Sequence, residues 1–174
     1  MKSVNKKGFS LVELILYVAF VSIVSTLYIN YAIDILTSVQ KTHVQRDVQQ
    51  NARFAMERMM QEIRAAEGIN TGGSTFGSHP GVLSLATSVP ATNPTVFDVS
   101  GGVVRMTQGA SAPVALTSSS LSVSNLVFTN LSINNRTTNV RVSLTLTHPN
   151  PDGIELFNAS SVIGGTAAVR ELID

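Results

Sequence analysis

The sequence predicts an α+β protein in which a long N-terminal α-helix packs on a small, mostly antiparallel β-sheet head. All but one of the 12 glycines and all 6 prolines lie at Gly68 or later. The segment 9–67 contains neither residue type, so it can form one uninterrupted helix. Beyond Gly68, short alternating apolar runs separated by Gly, Pro and Asn are typical of β-strands and turns.

The predicted helix begins with an apolar segment, residues 9–29, in which Glu13 is the only charged residue. Its length matches the hydrocarbon core of a lipid bilayer. Lys2, Lys6 and Lys7 precede it, and basic residues beside a membrane segment remain in the cytoplasm. The sequence therefore predicts a single-pass anchor with a cytoplasmic N-terminus and an extracytoplasmic head.

Two simpler interpretations of this segment do not account for all of its features. A secretory signal peptide has a shorter apolar run followed by a small-residue cleavage site, which is missing here. A plain signal anchor fits the length but does not explain a carboxylate that costs roughly 2.5–3.5 kcal/mol inside a membrane. A cut between Gly8 and Phe9 would supply a partner, because the new α-amino group of Phe9 could meet Glu13 of its own helix or of a staggered neighbour.

The stretch KKGFSLVEL, residues 6–14, resembles the class III leader of type IV pilins and type II secretion pseudopilins. The resemblance implies that a prepilin peptidase cleaves after Gly8 and methylates the amino group of Phe9, and that Glu13 registers subunits during assembly. The segments QQNARFAMERMMQEIRAAEG and LSVSNLVFTNLSI, followed by NVRVSLTL, resemble minor pilins of the PilW kind and the J-type minor pseudopilin.

This resemblance also implies partners and a location. The expected partners are other pilins or pseudopilins, the prepilin peptidase, membrane lipid and an assembly platform in the inner membrane. The expected location is the cytoplasmic membrane and then the pilus or pseudopilus. The net charge of +1 gives no indication of a nucleic-acid partner.

The second part of the predicted helix, residues 30–67, is amphipathic. Its apolar residues recur at spacings of three and four, which predicts one packing face toward the head. The members of this stripe are Val44, Val48, Ala52, Ala55, Met59, Ile63 and Ala66. Arg53 with Glu57, and Arg58 with Glu62, have the i, i+4 spacing of ion pairs on the solvated face.

The predicted strands follow as GVLSLAT, TVFDV, GVVRMTQ, PVALT, LSVSNLVFTNLSI and NVRVSLTLT. In the last of them, Val140, Val142, Leu144 and Leu146 alternate with polar residues, which indicates a strand with one buried face. The complete division is a leader at 1–8, a helix at 9–67 (transmembrane 9–29, amphipathic 30–67), a loop at 68–80 and a β-rich extracytoplasmic head at 81–174.

Sequence signals for catalysis are weak. His43, His79 and His148 are isolated, without carboxylates at metal-ligand spacing, and the serines show no nucleophile motif. The absence of cysteine excludes disulfides and thiolate metal sites. We therefore expect a non-enzymatic structural protein without a cofactor.

Three interpretations remain open. The sequence favours a minor pilin or pseudopilin that initiates or caps a filament. In comparison with major pilins, the chain lacks a cysteine pair and a proline in its membrane helix. The alternatives are a major pilin and a signal-anchored extracytoplasmic binding protein.

Overall fold

The computed structural model describes residues 10–132, 138–150 and 158–170. It confirms the predicted α+β class: one long N-terminal helix and antiparallel sheets in a pilin-like layout. The chain divides into two units, Met1–Gln40 and Lys41–Asp174.

Helix α1 spans Leu11–Ala65, 55 residues. It ends two residues before the predicted Glu67 because the chain there starts to pair with a strand. The Ala66 N–H still donates to the Glu62 carbonyl oxygen at 3.0 Å, but the Glu67 N–H donates to Ala86 at 2.9 Å.

The first sheet has five strands, each antiparallel to its neighbours in chain order. These strands are β1 Gly68–Ile69, β2 Leu83–Ala86, β3 Thr95–Ser100, β4 Val103–Gln108 and β5 Val114–Ala115. Gly101 and Gly102, with φ of 60° and 76°, form the two-residue turn between β3 and β4. Positive φ at both positions is what a tight hairpin turn with the twist of its strands requires.

Across the β3–β4 pair, Arg105 forms a two-pronged ion pair with Asp98. Its Nε and Nη2 donate to the two carboxylate oxygens at 2.9 and 2.7 Å. This hydrogen bond to Asp98 raises the pKa of Arg105. The pair lies on the more solvated side of these strands, and the opposite side carries the buried Phe97 and Met106.

The second sheet has three antiparallel strands in the order β6–β7–β8. They are β6 Ser122–Asn130, β7 Asn139–Thr147 and β8 Ser160–Ala168. A register shift between Val123 and Asn125 interrupts the ladder between β6 and β7. The alternation predicted for β7 is confirmed, since Val140, Val142, Leu144 and Leu146 are all fully buried.

The core lies between α1 and the two sheets of the second unit. Every described buried residue stands at Val48 or later. Seven residues of α1, together with Ala66 beyond its end, contribute to this core: Val48, Ala52, Ala55, Met56, Met59, Met60, Ile63 and Ala66. The predicted stripe is confirmed from Val48 to Ala66, and Val44 is half-buried at its end.

The structure differs from the sequence prediction in three places. The predicted loop 68–80 contains strand β1 and a single turn of 3₁₀-helix at Thr71–Gly73. The strands form two sheets instead of one. The strand at 139–147, predicted to be the last, is followed by β8, which the sequence analysis did not identify.

Candidate functional site: the exposed N-terminal helix

Glu13 lies in the first turn of α1. A carboxylate at this position interacts favourably with the unpaired N–H groups of the helix N-terminus. Its side chain is exposed, and within the described residues it forms no ion pair. The predicted cleavage and methylation positions, Gly8 and Phe9, lie outside the described residues.

The surface around Glu13 is apolar. Large hydrophobic side chains with exposures from 41% to 73% cover α1 from Leu11 to Leu36. Such a continuous apolar surface in contact with water is unfavourable for a soluble domain and indicates a membrane or a packing partner. Within the part of the chain that the structure describes, α1 is the one helix long and apolar enough to cross a bilayer.

The hydroxyl groups in this segment are compatible with lipid. The Ser22 hydroxyl donates to the Val18 carbonyl oxygen at 2.7 Å, and the Thr26 hydroxyl donates to the Ser22 carbonyl oxygen at 2.9 Å. Because these side chains bond to the preceding turn of their own helix, they need no water. Glu13 is the one charged residue between residues 10 and 33.

The solvated face of the amphipathic half shows one of the two predicted ion pairs. Arg58 and Glu62 are 2.6 Å apart. Arg53 and Glu57 do not pair with each other in the structure, so the prediction for that pair was wrong. Both side chains line the same open surface of the helix, together with Arg46 and the 57% exposed Phe54, without forming an ion pair. Sequence spacing alone could not distinguish the two pairs, because both have the same i, i+4 separation.

Two of the histidines, His79 and His148, take part in hydrogen bonds that connect parts of the head. Nδ1 of His79 accepts the Leu126 N–H at 2.9 Å, which fastens the loop before β2 to strand β6. His148 follows β7, and its backbone N–H donates to Ala159 at 2.9 Å. Among the residues described, no three His, Asp or Glu side chains come together as metal ligands.

Comparisons with protein-family models, with curated proteins and with solved structures find no match for this chain.

Proposed function

We propose that the chain is a structural subunit of a type IV pilus or a type II secretion pseudopilus, of the minor kind that initiates or caps the filament. The observation that carries the proposal is Glu13, a lone carboxylate on an exposed apolar helix. That helix continues into a folded α+β head with a pilin-like layout. The resemblance of residues 6–14 to a class III leader supports the same conclusion.

The chemistry of Glu13 suggests how subunits join. An unpaired carboxylate in the membrane costs roughly 2.5–3.5 kcal/mol. Cleavage between Gly8 and Phe9 would create an α-amino group, and methylation would keep it cationic. Pairing of that cation with Glu13 of a neighbouring subunit would reduce the cost and fix the axial register between the two helices.

The charge pattern gives the orientation within this proposal. Lys2, Lys6 and Lys7 would hold the leader in the cytoplasm, so the head would lie on the opposite side of the inner membrane. The partners would be other pilin-type subunits, the prepilin peptidase and the membrane assembly platform.

The test is processing in a cell that expresses a prepilin peptidase. We expect the chain to lose residues 1–8 and to begin with N-methylated Phe9, as measured by intact mass and by sequencing of the N-terminal peptide. Gly8→Leu is the control variant, and it should remain at full length. A chain that still carries Met1–Lys7 in the presence of active peptidase would favour the signal-anchored alternative.

Copy number separates the two kinds of filament subunit. A minor subunit should be present at a small fraction of the abundance of the main pilin in purified filaments. If this chain instead formed the bulk of the filament by quantitative mass spectrometry, it would be the major pilin.

A further inference from the structure

Within the described residues, strand β8 is the outer strand of the second sheet and pairs with β7 alone. The His148 N–H donates to Ala159 at 2.9 Å, and the Val169 N–H donates to Thr138 at 2.8 Å, one at each end of the ladder. Because hydrogen-bonded pairs alternate in an antiparallel ladder, the odd-numbered residues of β8 bond to β7. The N–H and C=O groups that point away from the sheet belong to Ser160, Val162, Gly164, Thr166 and Ala168.

The other edges in the described part of the head are short or covered. The outer side of β6 accepts the Gly81 N–H at Leu126 and the Gly77 N–H at Phe128, both at 2.9 Å. In the first sheet, the outer strands β1 and β5 have two residues each. Within the residues described, β8 therefore presents the longest unpaired strand edge.

Strand β8 also lacks the features that protect an exposed edge. Its sequence, SSVIGGTAA, contains no charged residue and no proline. Its nine residues stay in register with β7 from one end to the other, without a bulge. Natural proteins usually block such an edge with lysine, proline or a bulge. An unblocked edge with Val162 74% exposed suits the addition of another strand.

A groove with one charged side chain, Arg53, runs beside this edge. It is lined by Gln49 and Arg53 of α1 and by Ser161–Ile163 of β8. Arg53 forms no ion pair within the described residues, and Arg46 and Glu57 line the adjoining surface of the helix, so the charges beside the edge remain positive on balance. A strand added to β8 would therefore gain from a carboxylate side chain placed beside Arg53.

A second copy of this chain does not fit the edge. The helix and β8 run in the same direction, since Arg53 lies beside Ser161–Ile163 while the Arg170 N–H donates to Ala66 at 3.1 Å. Pairing two copies of β8 about a two-fold axis would point their Lys41–Ala65 helix segments in opposite directions. Subunits anchored in one membrane share a direction, so this antiparallel pairing is excluded for them. A parallel pairing of two β8 edges would keep the direction but would supply no carboxylate to Arg53, because β8 contains no charged residue.

We propose that the β8 edge receives an extended, acidic segment of a different filament subunit, whose main chain bonds to β8 and whose carboxylate lies beside Arg53. This inference rests on the proposed function and adds the surface and the chemistry of the neighbour. It makes β8 a second contact between subunits, separate from Glu13.

The experiment uses the tagged full-length chain in the cells that make it. Val162→Pro removes an outward N–H and leaves every bond to β7 in place, a position where edge strands accept proline. Val162→Thr keeps the N–H and is the matched control. Arg53→Gln removes the charge beside the edge, and Arg53→Lys keeps it. Each variant is measured for leader removal, thermal unfolding in detergent and recovery of pilin-type subunits after mild cross-linking.

We expect Val162→Pro to be processed and to unfold as the parent does. It should recover about tenfold less of the neighbouring subunit after cross-linking, because one main-chain hydrogen bond is lost and a carbonyl group of the neighbour is left unpaired. Val162→Thr should match the parent. Arg53→Gln should weaken recovery and Arg53→Lys should restore it. A benzophenone amino acid at Val162 should cross-link to an acidic extended segment of another pilin-type subunit, while the same probe at the exposed Val89 should not. This cross-link supplies an independent measurement if Val162→Pro fails to fold.

Several results would overturn the inference. If Val162→Pro is folded and recovers its neighbour as well as the parent does, β8 is not the interface. A cross-link from Val162 to a second copy, or to a protein that is not a pilin-type subunit, would also exclude the proposed occupant. In both cases normal processing of the parent would leave the proposed function intact. An unprocessed parent would instead overturn the proposed function, and this inference with it.

Discussion

At the scale of single residues, Glu13 determines whether the apolar helix is only an anchor. We predict that Glu13→Leu inserts and is cleaved normally, because leucine suits lipid better than a carboxylate does. Filament assembly should fail, because the α-amino group of a neighbouring subunit would be buried without a partner, a loss of roughly 3–5 kcal/mol. Co-purification with partner pilins, together with the mass of the processed chain, measures both effects.

The control for this variant is Glu67→Leu, which also replaces a carboxylate by leucine but lies beyond the end of α1. It should assemble as the parent does. If Glu13→Leu assembled equally well, the carboxylate would be a tolerated feature of a signal anchor, and the proposed subunit contact would be wrong.

Among the described glycines, Gly109 is the one at which an added Cβ would make the closest contact. Its φ is 56°, its N–H donates to the Pro94 carbonyl at 2.9 Å, and a Cβ placed on it would overlap the Ala91 carbonyl oxygen. Gly109→Ala should therefore lower the free energy of unfolding by about 3 kcal/mol, as the sum of left-handed strain and a backbone clash.

The matched variant is Gly101→Ala, whose φ of 60° is similar but whose added Cβ would have no atom within 4 Å. It should show only the strain of about 1–2 kcal/mol. Denaturant unfolding of both variants in detergent isolates the clash as the difference between them. Equal losses would show that the loop around Ala91 moves aside.

At the scale of elements, the sequence predicted those whose apolar residues alternate or recur clearly. The stripe from Val48 to Ala66 and the buried face of β7 were both predicted correctly. Apolar residues that recur with a period of 3.6 lie on one face of a helix, and those that recur with a period of 2 lie on one face of a strand. Met56 and Met60 were not assigned to the packing face, although both are buried. They extend it toward β8, whose sequence shows no alternating apolar pattern.

Strand β8 could not be found from its own residues. Apart from the adjacent Val162 and Ile163 it consists of small and polar residues, with two neighbouring glycines, so it has no apolar alternation to detect. The reason for Gly165 appears only in three dimensions, where a Cβ would lie 3.0 Å from Cε of Met60. Glycine at this position leaves room for the end of the Met60 side chain where the helix packs against the strand.

The continuity of α1 can be tested with a proline at Ala55, which is fully buried. Ala55→Pro would remove a backbone hydrogen bond, clash with the preceding turn and cost about 3 kcal/mol or more. We expect the full-length variant in detergent to unfold at a lower temperature and to be cleaved faster by protease near residue 55. Ala55→Gly, which keeps the backbone N–H, is the control and should cost only about 1 kcal/mol. Proteolysis of Ala55→Pro at the rate of the parent would contradict a continuous helix in this region.

At the scale of the whole molecule, only part of the predicted functional site lies within the residues that the structure describes. The exposed apolar surface and the position of Glu13 on a helix were predicted from composition and spacing, and both are observed. The cleavage site at Gly8 and Phe9 lies outside the described residues, so it stays a prediction. The β8 edge could not be predicted, because a free edge depends on which strands pair and sequence alone did not identify β8.

The last prediction concerns the independence of the second unit. All described core residues lie at Val48 or later, whereas the apolar segment of α1 contributes none. A chain that begins at Lys41 should therefore be soluble without detergent and should unfold cooperatively with the same midpoint as the full-length head.

A chain that begins at Ala55 lacks Val48 and Ala52, which are both fully buried. It would lose their apolar contacts and leave part of the second sheet uncovered, so it should be less stable by several kcal/mol, about the cost of two large-to-small core substitutions. Calorimetry and circular dichroism of the two chains measure the difference. If the chain from Lys41 aggregated or unfolded without a cooperative transition, the membrane half of the helix would be part of the folding unit, and the division at Gln40 would be wrong.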